Sequence, residues 1–189
     1  MGLCPAVRQQ SVRVAAYTQV LYNEACEKRF AQSPEYKEYP DRIKGKYSEL
    51  AYKCGMYHQI GKSLVPEEYQ IWQKDFTEEE KAVYRKYTSD GRVLAASLQE
   101  KTQRAKGKRT GNFEEIPTSN IPWLMIREAC EQHMEKFDGT GYPLGLKGSE
   151  ISPIAQIVGL AKMLDRLSAE TKSENPFAEA FDAICAEEN

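Results

Sequence analysis

The chain has 189 residues, a length that predicts one domain of ordinary size with room for a full hydrophobic core. Hydrophobic residues make up 41% and charged residues 29%, with 26 basic and 28 acidic side chains, which disfavours global disorder and a chain that coats nucleic acid. No apolar run approaches the roughly 18 residues that cross a bilayer, and residues 1–10 lack the apolar stretch of a signal peptide. We expect a single domain over residues 1–189, cytoplasmic and without a membrane partner.

Cysteine usage points to the same compartment. The five cysteines are odd in number and never form a Cys-x-x-Cys pair; they are Cys4, Cys26, Cys54, Cys130 and Cys185. This scatter is typical of free thiols in a reducing environment, so a zinc site built from cysteines is not expected.

The first half of the chain is patterned as three helices. Residues 9–26 contain no Gly or Pro and repeat apolar residues at helical spacing, which predicts an amphipathic helix. A second apolar stripe predicts a helix over about 47–61. Thr77, with Glu80 three residues later, forms a capping-box pattern and predicts a third helix that ends near Ser89.

The second half is predicted to be helical as well. Residues 101–122 are basic and then rich in Pro, Ser and Asn, so we interpret them as a loop-rich connector. A helix over about 123–136, a Gly/Pro-rich loop over 138–148, an apolar helix face over 154–164 and a short helix after Asn175 complete the chain. No strand alternation is present, so the predicted fold class is all-α.

The two histidines occupy informative positions. His58 stands near the end of the predicted second helix, and His133 stands just before the 138–148 loop. A neutral imidazole can ligate a metal, and Lys62 is placed to reach a phosphate oxygen. A single histidine on a helix is more often a hydrogen-bonded structural residue, so the residues alone leave both interpretations open.

Two motifs together resemble a known family. The segment His58-Gln-Ile-Gly-Lys62 resembles the His-Asp-Ile-Gly-Lys signature of HD-domain phosphohydrolases. Residues 133–148 look like the His-His-Glu-x-x-Asp-Gly-x-Gly-Tyr-Pro-x-Gly-Leu-x-Gly run of the HD-GYP subfamily. The resemblance covers nearly the whole chain and implies an HD-domain-like helical bundle with a Gly-Tyr-Pro loop. Active members are cyclic di-GMP phosphodiesterases that work with a cluster of metal ions, usually iron or manganese.

Most positions that the resemblance assigns to metal ligands carry other residues in this chain. The substituted positions are Gln9, Gln10, Gln59, Tyr87, Met134 and Lys162, which leaves His58 and His133 as remnants. A lysine ammonium is repelled by a cationic cluster and cannot ligate while protonated, although its charge can replace part of a metal's role toward a phosphate. The nucleotide-gripping segment of the family is replaced here by residues 170–173, where Lys172 is a partial substitute.

The resemblance and its departures together imply a degenerate HD-GYP-type signalling domain that binds without hydrolysing. The expected ligand is a cyclic dinucleotide, held by Lys62, Lys162, Lys172 and Tyr142, with no metal cofactor. The alternative is an altered phosphohydrolase with iron, manganese or zinc on His58, His133 and a carboxylate such as Glu135 or Asp138, and with Lys62 on the phosphate. A third possibility is a segment that only packs against other domains of a longer protein.

The 138–148 loop is the expected partner surface. The resemblance implies contact with a diguanylate cyclase domain through Asp138, Gly139, Gly141, Tyr142 and Pro143. The competing interpretation is that these residues are required only by the backbone path of the loop. The basic run after residue 101 lacks interleaved aromatic residues, so nucleic acid is not an expected partner.

Overall fold

In the computed structural model, residues 2–30, 41–110, 121–171 and 173–186 are described. Helix is the regular secondary structure throughout these ranges, with no strand, as the all-α prediction requires. The α-helices are α1 (Pro5–Phe30), α2 (Asp41–Tyr57), α3 (Glu78–Arg85), α4 (Tyr87–Thr110), α5 (Ile121–Gln132), α6 (Pro153–Glu170) and α7 (Pro176–Ala186). None of the described helices is both long and apolar enough to span a membrane.

The main core lies where α1, α2, α4, α5 and α6 meet. Helix α1 packs along α2 and α6, and α4 packs along α5. The side chains buried there are mostly small or β-branched: Val14, Leu50, Ala51, Cys54, Ala95, Ile126, Ala129, Cys130, Ile154, Val158 and Ala161. Val14, Leu50, Cys54, Ile154 and Val158 belong to the apolar stripes that the sequence predicts, so helical periodicity identified the correct faces.

Two glycines permit close backbone packing. A Cβ added at Gly55 would lie 2.7 Å from the Cα of Ala15, so α2 approaches α1 more closely than any side chain allows. A Cβ at Gly61, in the 3-10 helix Ile60–Leu64, would meet the Tyr87 carbonyl oxygen and would lie 2.5 Å from the amide nitrogen of Gly91. The residues on either side of Gly61 are therefore fixed directly against the backbone of α4.

The connector prediction was wrong over residues 101–110, which continue α4. Lysine, arginine and glutamine are good helix formers, and Lys101 and Arg104 are exposed, so the charges stay hydrated without breaking the helix. Arg104 also lies 3.8 Å from Glu100, one turn earlier. The remainder of the connector, 111–120, lies outside the described residues.

The third helix predicted from the sequence is divided into two helices in the structure. The break falls at Lys86, between α3 and α4, and the Ser-Asp-Gly segment 89–91 lies inside α4. Gly91 is tolerated there because its missing side chain leaves room for Cys130 of α5, whose Cβ would be only 3.2 Å from an added Cβ. The capping box at Thr77 and Glu80 is confirmed in the structure.

Candidate functional site

The two histidines meet at the centre of the molecule. His58 follows the last residue of α2, and His133 follows the last residue of α5. Both are buried, with 0% and 3% of their surface exposed, and their rings are perpendicular with centroids 4.9 Å apart. The sequence prediction that these residues share one site is therefore supported by their geometry.

His58 presents an unused lone pair to the site. Its Nδ1 lies 2.6 Å from the Gly55 carbonyl oxygen, an acceptor, so the proton resides on Nδ1 and Nε2 is a bare acceptor. That Nε2 is buried without a hydrogen-bond partner among the described residues. Burial, followed by the nearby Lys162 and Lys62 charges, lowers the pKa of His58 to about 3, so the imidazole is neutral at physiological pH.

His133 is engaged in a chain of hydrogen bonds that ends at a lysine. Its Nδ1 lies 2.8 Å from the Ala129 carbonyl oxygen and therefore donates. Its Nε2 accepts from the Tyr87 hydroxyl at 2.8 Å, and that hydroxyl accepts from the Lys162 ammonium at 3.0 Å. Lys162 also lies 3.1 Å from the sulfur of Met134. The Lys162 amine thus lies between the Tyr87 hydroxyl and the Met134 sulfur.

Two lysines share this enclosed region. Lys62 is 3% exposed, and its ammonium lies over the rings of Tyr84 and Tyr87, 5.0 Å and 5.1 Å from their centroids. Burial lowers the pKa of Lys62 to about 8. Burial and the neighbouring Lys62 charge lower the pKa of Lys162 well below its ordinary value. Among the described residues, no carboxylate forms an ion pair with either lysine.

The amide of Gln59 is anchored on α1. Its Nε2 donates to the Val7 carbonyl oxygen at 3.1 Å and to Ser11 Oγ at 3.1 Å, and it lies 3.3 Å from Gln10 Oε1. Its Oε1 is buried without a hydrogen-bond partner among the described residues. Gln59 is therefore a second unused acceptor beside His58.

One carboxylate lies close to this region, but its oxygens already accept hydrogen bonds from α1. Asp165, 3% exposed, accepts from Arg13 Nε at 2.6 Å and from Gln10 Nε2 at 3.2 Å. Gln10 therefore joins the polar network, whereas Gln9 is exposed on α1 and contributes nothing to the site.

Tyr142 faces the site from the loop. Its side chain interacts with Tyr84 and Tyr87, and burial raises its pKa above the ordinary value for tyrosine. The guanidinium carbon of Arg85 lies 5.4 Å from the centroid of the Tyr142 ring. Tyr142, predicted both as a ligand-binding residue and as part of a partner surface, therefore contacts residues of the site.

The rest of the loop is held by two carboxylate side chains that accept hydrogen bonds from it. The two carboxylate oxygens of Glu135 accept from the amides of Leu144 and Leu146, at 2.6 Å and 3.0 Å. The exposed Asp138 carboxylate accepts from the amide and hydroxyl of Thr140, at 2.8 Å and 2.7 Å. Both carboxylates therefore stabilise the loop.

The backbone path of the 138–148 loop requires glycine at two positions. Gly139 has φ = +82°, and a Cβ at Gly141 would lie 2.4 Å from Glu135 Cα, too close for any side chain. Pro143 follows in a cis peptide bond. The backbone geometry of the loop therefore explains Gly139 and Gly141 without a ligand or a partner.

The donor set does not fit a divalent metal cluster. No group of three or more His, Cys, Asp or Glu side chains capable of holding a metal ion forms within the described parts of the chain. The carboxylates of Glu135 and Asp138, named as examples of a third ligand, accept hydrogen bonds from loop amides instead of grouping with the two histidines. Lys162 adds repulsion toward metal ions whenever its amine is protonated, and no carboxylate in the described part of the chain pairs with it.

The structure thus brings together most of the predicted site residues: His58, Gln59, Lys62, Tyr87, His133, Met134, Tyr142 and Lys162. Lys172 lies outside the described residues. Sequence reasoning missed Tyr84, although its position three residues before Tyr87 would place both on one helical face if the helix had been continuous. It also missed Asp165 as a partner of Gln10, a contact between distant helices that no local pattern reveals.

Comparison with known proteins identifies relatives. A protein of Vibrio cholerae described as a probable cyclic di-GMP phosphodiesterase is 25% identical over 174 residues, which cover 92% of this chain and 34% of that protein. A cyclic di-GMP phosphodiesterase of Thermotoga maritima is 29% identical over 130 residues, 67% of this chain and 30% of that protein. A 3'3'-cGAMP-specific phosphodiesterase 3 of Vibrio cholerae is 38% identical over 73 residues, 39% of this chain and 16% of that protein.

The chain spans about a third or less of the length of these relatives. Residues 44–189 match the HD domain, and this match includes both histidines, both lysines and the whole 138–148 loop. With its helical fold and this extent of similarity, the chain belongs to the HD domain family and is related to cyclic di-GMP phosphodiesterases.

Proposed function

We propose that this chain is an HD-type signalling domain that does not hydrolyse cyclic dinucleotides and acts by binding, in the cytoplasm. The observation that carries the proposal is the chain of hydrogen bonds from Lys162 through Tyr87 to His133. It places a tethered ammonium where two or more divalent ions would need carboxylates, and it occupies the Nε2 lone pair of His133.

The expected ligand class follows from the relatives and from the charge of the site. The relatives are named for cyclic di-GMP and 3'3'-cGAMP, both of which carry phosphodiester groups. Lys62 and Lys162 supply positive charge without an ion between protein and phosphate. Binding of a cyclic dinucleotide is therefore expected to be independent of metal and sensitive to salt.

The test of catalysis is hydrolysis of cyclic di-GMP, 3'3'-cGAMP and a generic phosphodiester with added manganese, iron or zinc. We expect no metal-dependent turnover by the native protein and the same background rate for His58→Ala and His133→Ala. Metal-dependent turnover that both variants lose would overturn the proposal and would make the altered phosphohydrolase the better interpretation.

Protein binding through the loop is a second candidate, favoured by exposed apolar side chains on the loop and directly before it. Leu144 is 56% exposed and the preceding Phe137 is 76% exposed, whereas the amides of Leu144 and Leu146 are held by the Glu135 carboxylate. Rigid exposed apolar groups are suited to a partner surface, and the family resemblance makes a diguanylate cyclase domain the partner to test. Co-purification of such a domain with the native protein, but not with Phe137→Ser, is the expected result.

A further inference from the structure

The feature that the proposed function leaves unexplained is the pair of enclosed cations. Lys62 is 3% exposed, and Lys162 is partly buried, with its amine against Tyr87 and Met134. Within the described part of the chain, no acidic side chain pairs with either ammonium. A buried charge without a counter-ion is unfavourable unless it is neutralised or paired. The protonated forms of both lysines are therefore disfavoured in the absence of an anion, in line with their lowered pKa values, and a bound anion would stabilise both of them.

The hydrogen-bonding capacity of the two ammonium groups leads to the same conclusion. Each lysine ammonium carries three donor hydrogens. Lys162 directs its contacts at the Tyr87 hydroxyl and the Met134 thioether, a weak acceptor. Lys62 faces the aromatic rings of Tyr84 and Tyr87. Strong oxygen acceptors are thus scarce around two groups that donate well to phosphate oxygens.

The number of charges favours one kind of phosphate group. A phosphodiester carries one negative charge, whereas a terminal phosphate or free inorganic phosphate approaches two negative charges at neutral pH. Both ammonium groups lie within 6 Å of the Tyr87 ring centroid, at 5.1 Å and 5.6 Å. A dianionic group at this ring offsets both cations, and a single phosphodiester offsets one.

The unused acceptors are consistent with such a ligand. His58 Nε2 and Gln59 Oε1 are buried and lack hydrogen-bond partners among the described residues. Hydrogenphosphate carries two negative charges and also one O–H group, so it can accept from the lysines while it donates to one of these atoms. This combination of two lysines and a bare acceptor matches hydrogenphosphate in charge and in hydrogen bonding, whereas the dianionic terminal phosphate of a nucleotide matches it in charge alone.

We propose that Lys62 and Lys162 together bind a dianionic phosphoryl group, either free phosphate or the terminal phosphate of a nucleotide. The inference rests on the proposed non-catalytic function and specifies the ligand chemistry of the same site. It implies that the domain responds to phosphomonoesters, such as the linear products of cyclic-dinucleotide opening, in preference to the cyclic molecules.

The test is calorimetric titration of the full chain in the presence of a chelator, with inorganic phosphate, GMP, guanosine and cyclic di-GMP as the probes. We expect one phosphate or GMP per chain, weaker binding of cyclic di-GMP, and no binding of guanosine. Tighter binding of GMP than of phosphate would assign the site to a nucleotide's terminal phosphate, and equal binding would assign it to free phosphate.

Matched variants identify the residues responsible. Lys62→Met and Lys162→Met are expected to weaken phosphate binding at least roughly tenfold, because each removes a hydrogen bond to a charged group. Lys101→Met, which removes one exposed lysine far along α4, is expected to leave binding unchanged. Circular dichroism checks that each variant is folded, and Lys162→Gln replaces Lys162→Met if the latter is not.

Three results would overturn the inference. The first is no binding of phosphate or GMP by the folded native protein at about 10 mM ligand, and the second is equal binding by the native protein and both lysine variants. Cyclic di-GMP binding as tight as that of GMP would also contradict it, because the preference for a dianion would be absent. These outcomes are separate from hydrolysis, so the failure of this inference and the failure of the proposed function are distinguishable.

Discussion

At the scale of single residues, the protonation of the two histidines is the most testable property. They are the only histidines in the chain, and both are buried as neutral imidazoles. The pKa of His58 is lowered to about 3, and the pKa of His133 is lowered well below its ordinary value, in both cases chiefly by burial. Below about pH 6.5, the unfolded chain therefore binds protons on both imidazoles, whereas the folded protein does not.

We predict that stability is full above about pH 6.5 and falls as the pH decreases below it, by up to about 1.4 kcal/mol per pH unit for each imidazole. Urea unfolding between about pH 7.5 and pH 5 measures this slope. His58→Gln, whose side chain does not titrate, is expected to show a smaller slope. A free energy of unfolding that is constant across this range would contradict the buried, neutral state of both rings.

Lys162→Met tests whether the amine of Lys162 lowers the stability of the folded protein. This substitution replaces a partly buried amine that has no carboxylate partner among the described residues with an apolar side chain of similar length. In the absence of an anion we therefore expect the free energy of unfolding to rise by about 1 kcal/mol. Lys101→Met, on the exposed face of α4, is expected to change it by less than about 0.5 kcal/mol. Urea unfolding in phosphate-free buffer is the measurement, and a loss of stability in Lys162→Met would show that the ammonium contributes favourably.

At the scale of elements, the contact between the 3-10 helix and α4 controls the position of Lys62. Gly61→Ala would place a Cβ 2.5 Å from the Gly91 nitrogen, and backbone atoms cannot move aside as flexible side chains do. We expect a loss of more than about 3 kcal/mol or failure to fold. Gly2→Ala is the matched control, because nothing lies within 4 Å of its added Cβ, and it is expected to be neutral. Thermal unfolding compares the two, and an equal effect would contradict this packing.

Removal of the N-cap at the start of α3 is expected to lower stability by less than Gly61→Ala does, and independently of it. The Thr77 hydroxyl accepts from the Glu80 amide at 3.2 Å, and the Glu80 carboxylate accepts from the Thr77 amide at 2.8 Å. Thr77→Ala is expected to lower the free energy of unfolding by about 1 kcal/mol, whereas Thr77→Ser keeps the cap. Urea unfolding of both variants tests this, and equal stability would show that the cap is unimportant.

The element scale also shows what sequence could predict. Apolar periodicity predicted the buried faces of α1, α2 and α6, because side-chain spacing alone decides which positions meet a core. It failed at residues 101–110, where charge was interpreted as loop although helix propensity favours such residues. The break at Lys86 was also displaced, because the Ser-Asp-Gly signal is overridden by tight packing of Gly91 against Cys130.

For the site, motif spacing found the residues but not their roles. His58, Lys62 and His133 were predicted, and they do converge. The Lys162 to Tyr87 hydrogen bond was not foreseen, because it joins residues 75 positions apart on different helices. The commitment of Glu135 to loop amides was likewise hidden, since a carboxylate looks the same in sequence whether it binds metal or backbone.

At the scale of the whole molecule, one buried carboxylate joins the first helix to α6. Asp165 accepts from both Arg13 and Gln10 of α1. Asp165→Asn removes the charge that pairs with Arg13, and because the Arg13 side chain is 48% exposed we expect a moderate loss of about 1 to 3 kcal/mol. Urea unfolding measures the loss, and Glu170→Gln, at an exposed ion pair with Arg166, is the control expected to change little.

The contact between Arg13 and Asp165 can form only late in translation, because α6 is made long after α1. Arg13 and Asp165 are separated by 152 residues, and α6 covers the same core that α1 begins. At about 5 to 20 residues per second, α1 is made roughly 8 to 30 seconds before its partner. During that interval the nascent helix has its core-facing residues, Val14 among them, without α6 to cover them. We therefore expect the growing chain to expose apolar surface that chaperones can bind until α6 has been translated.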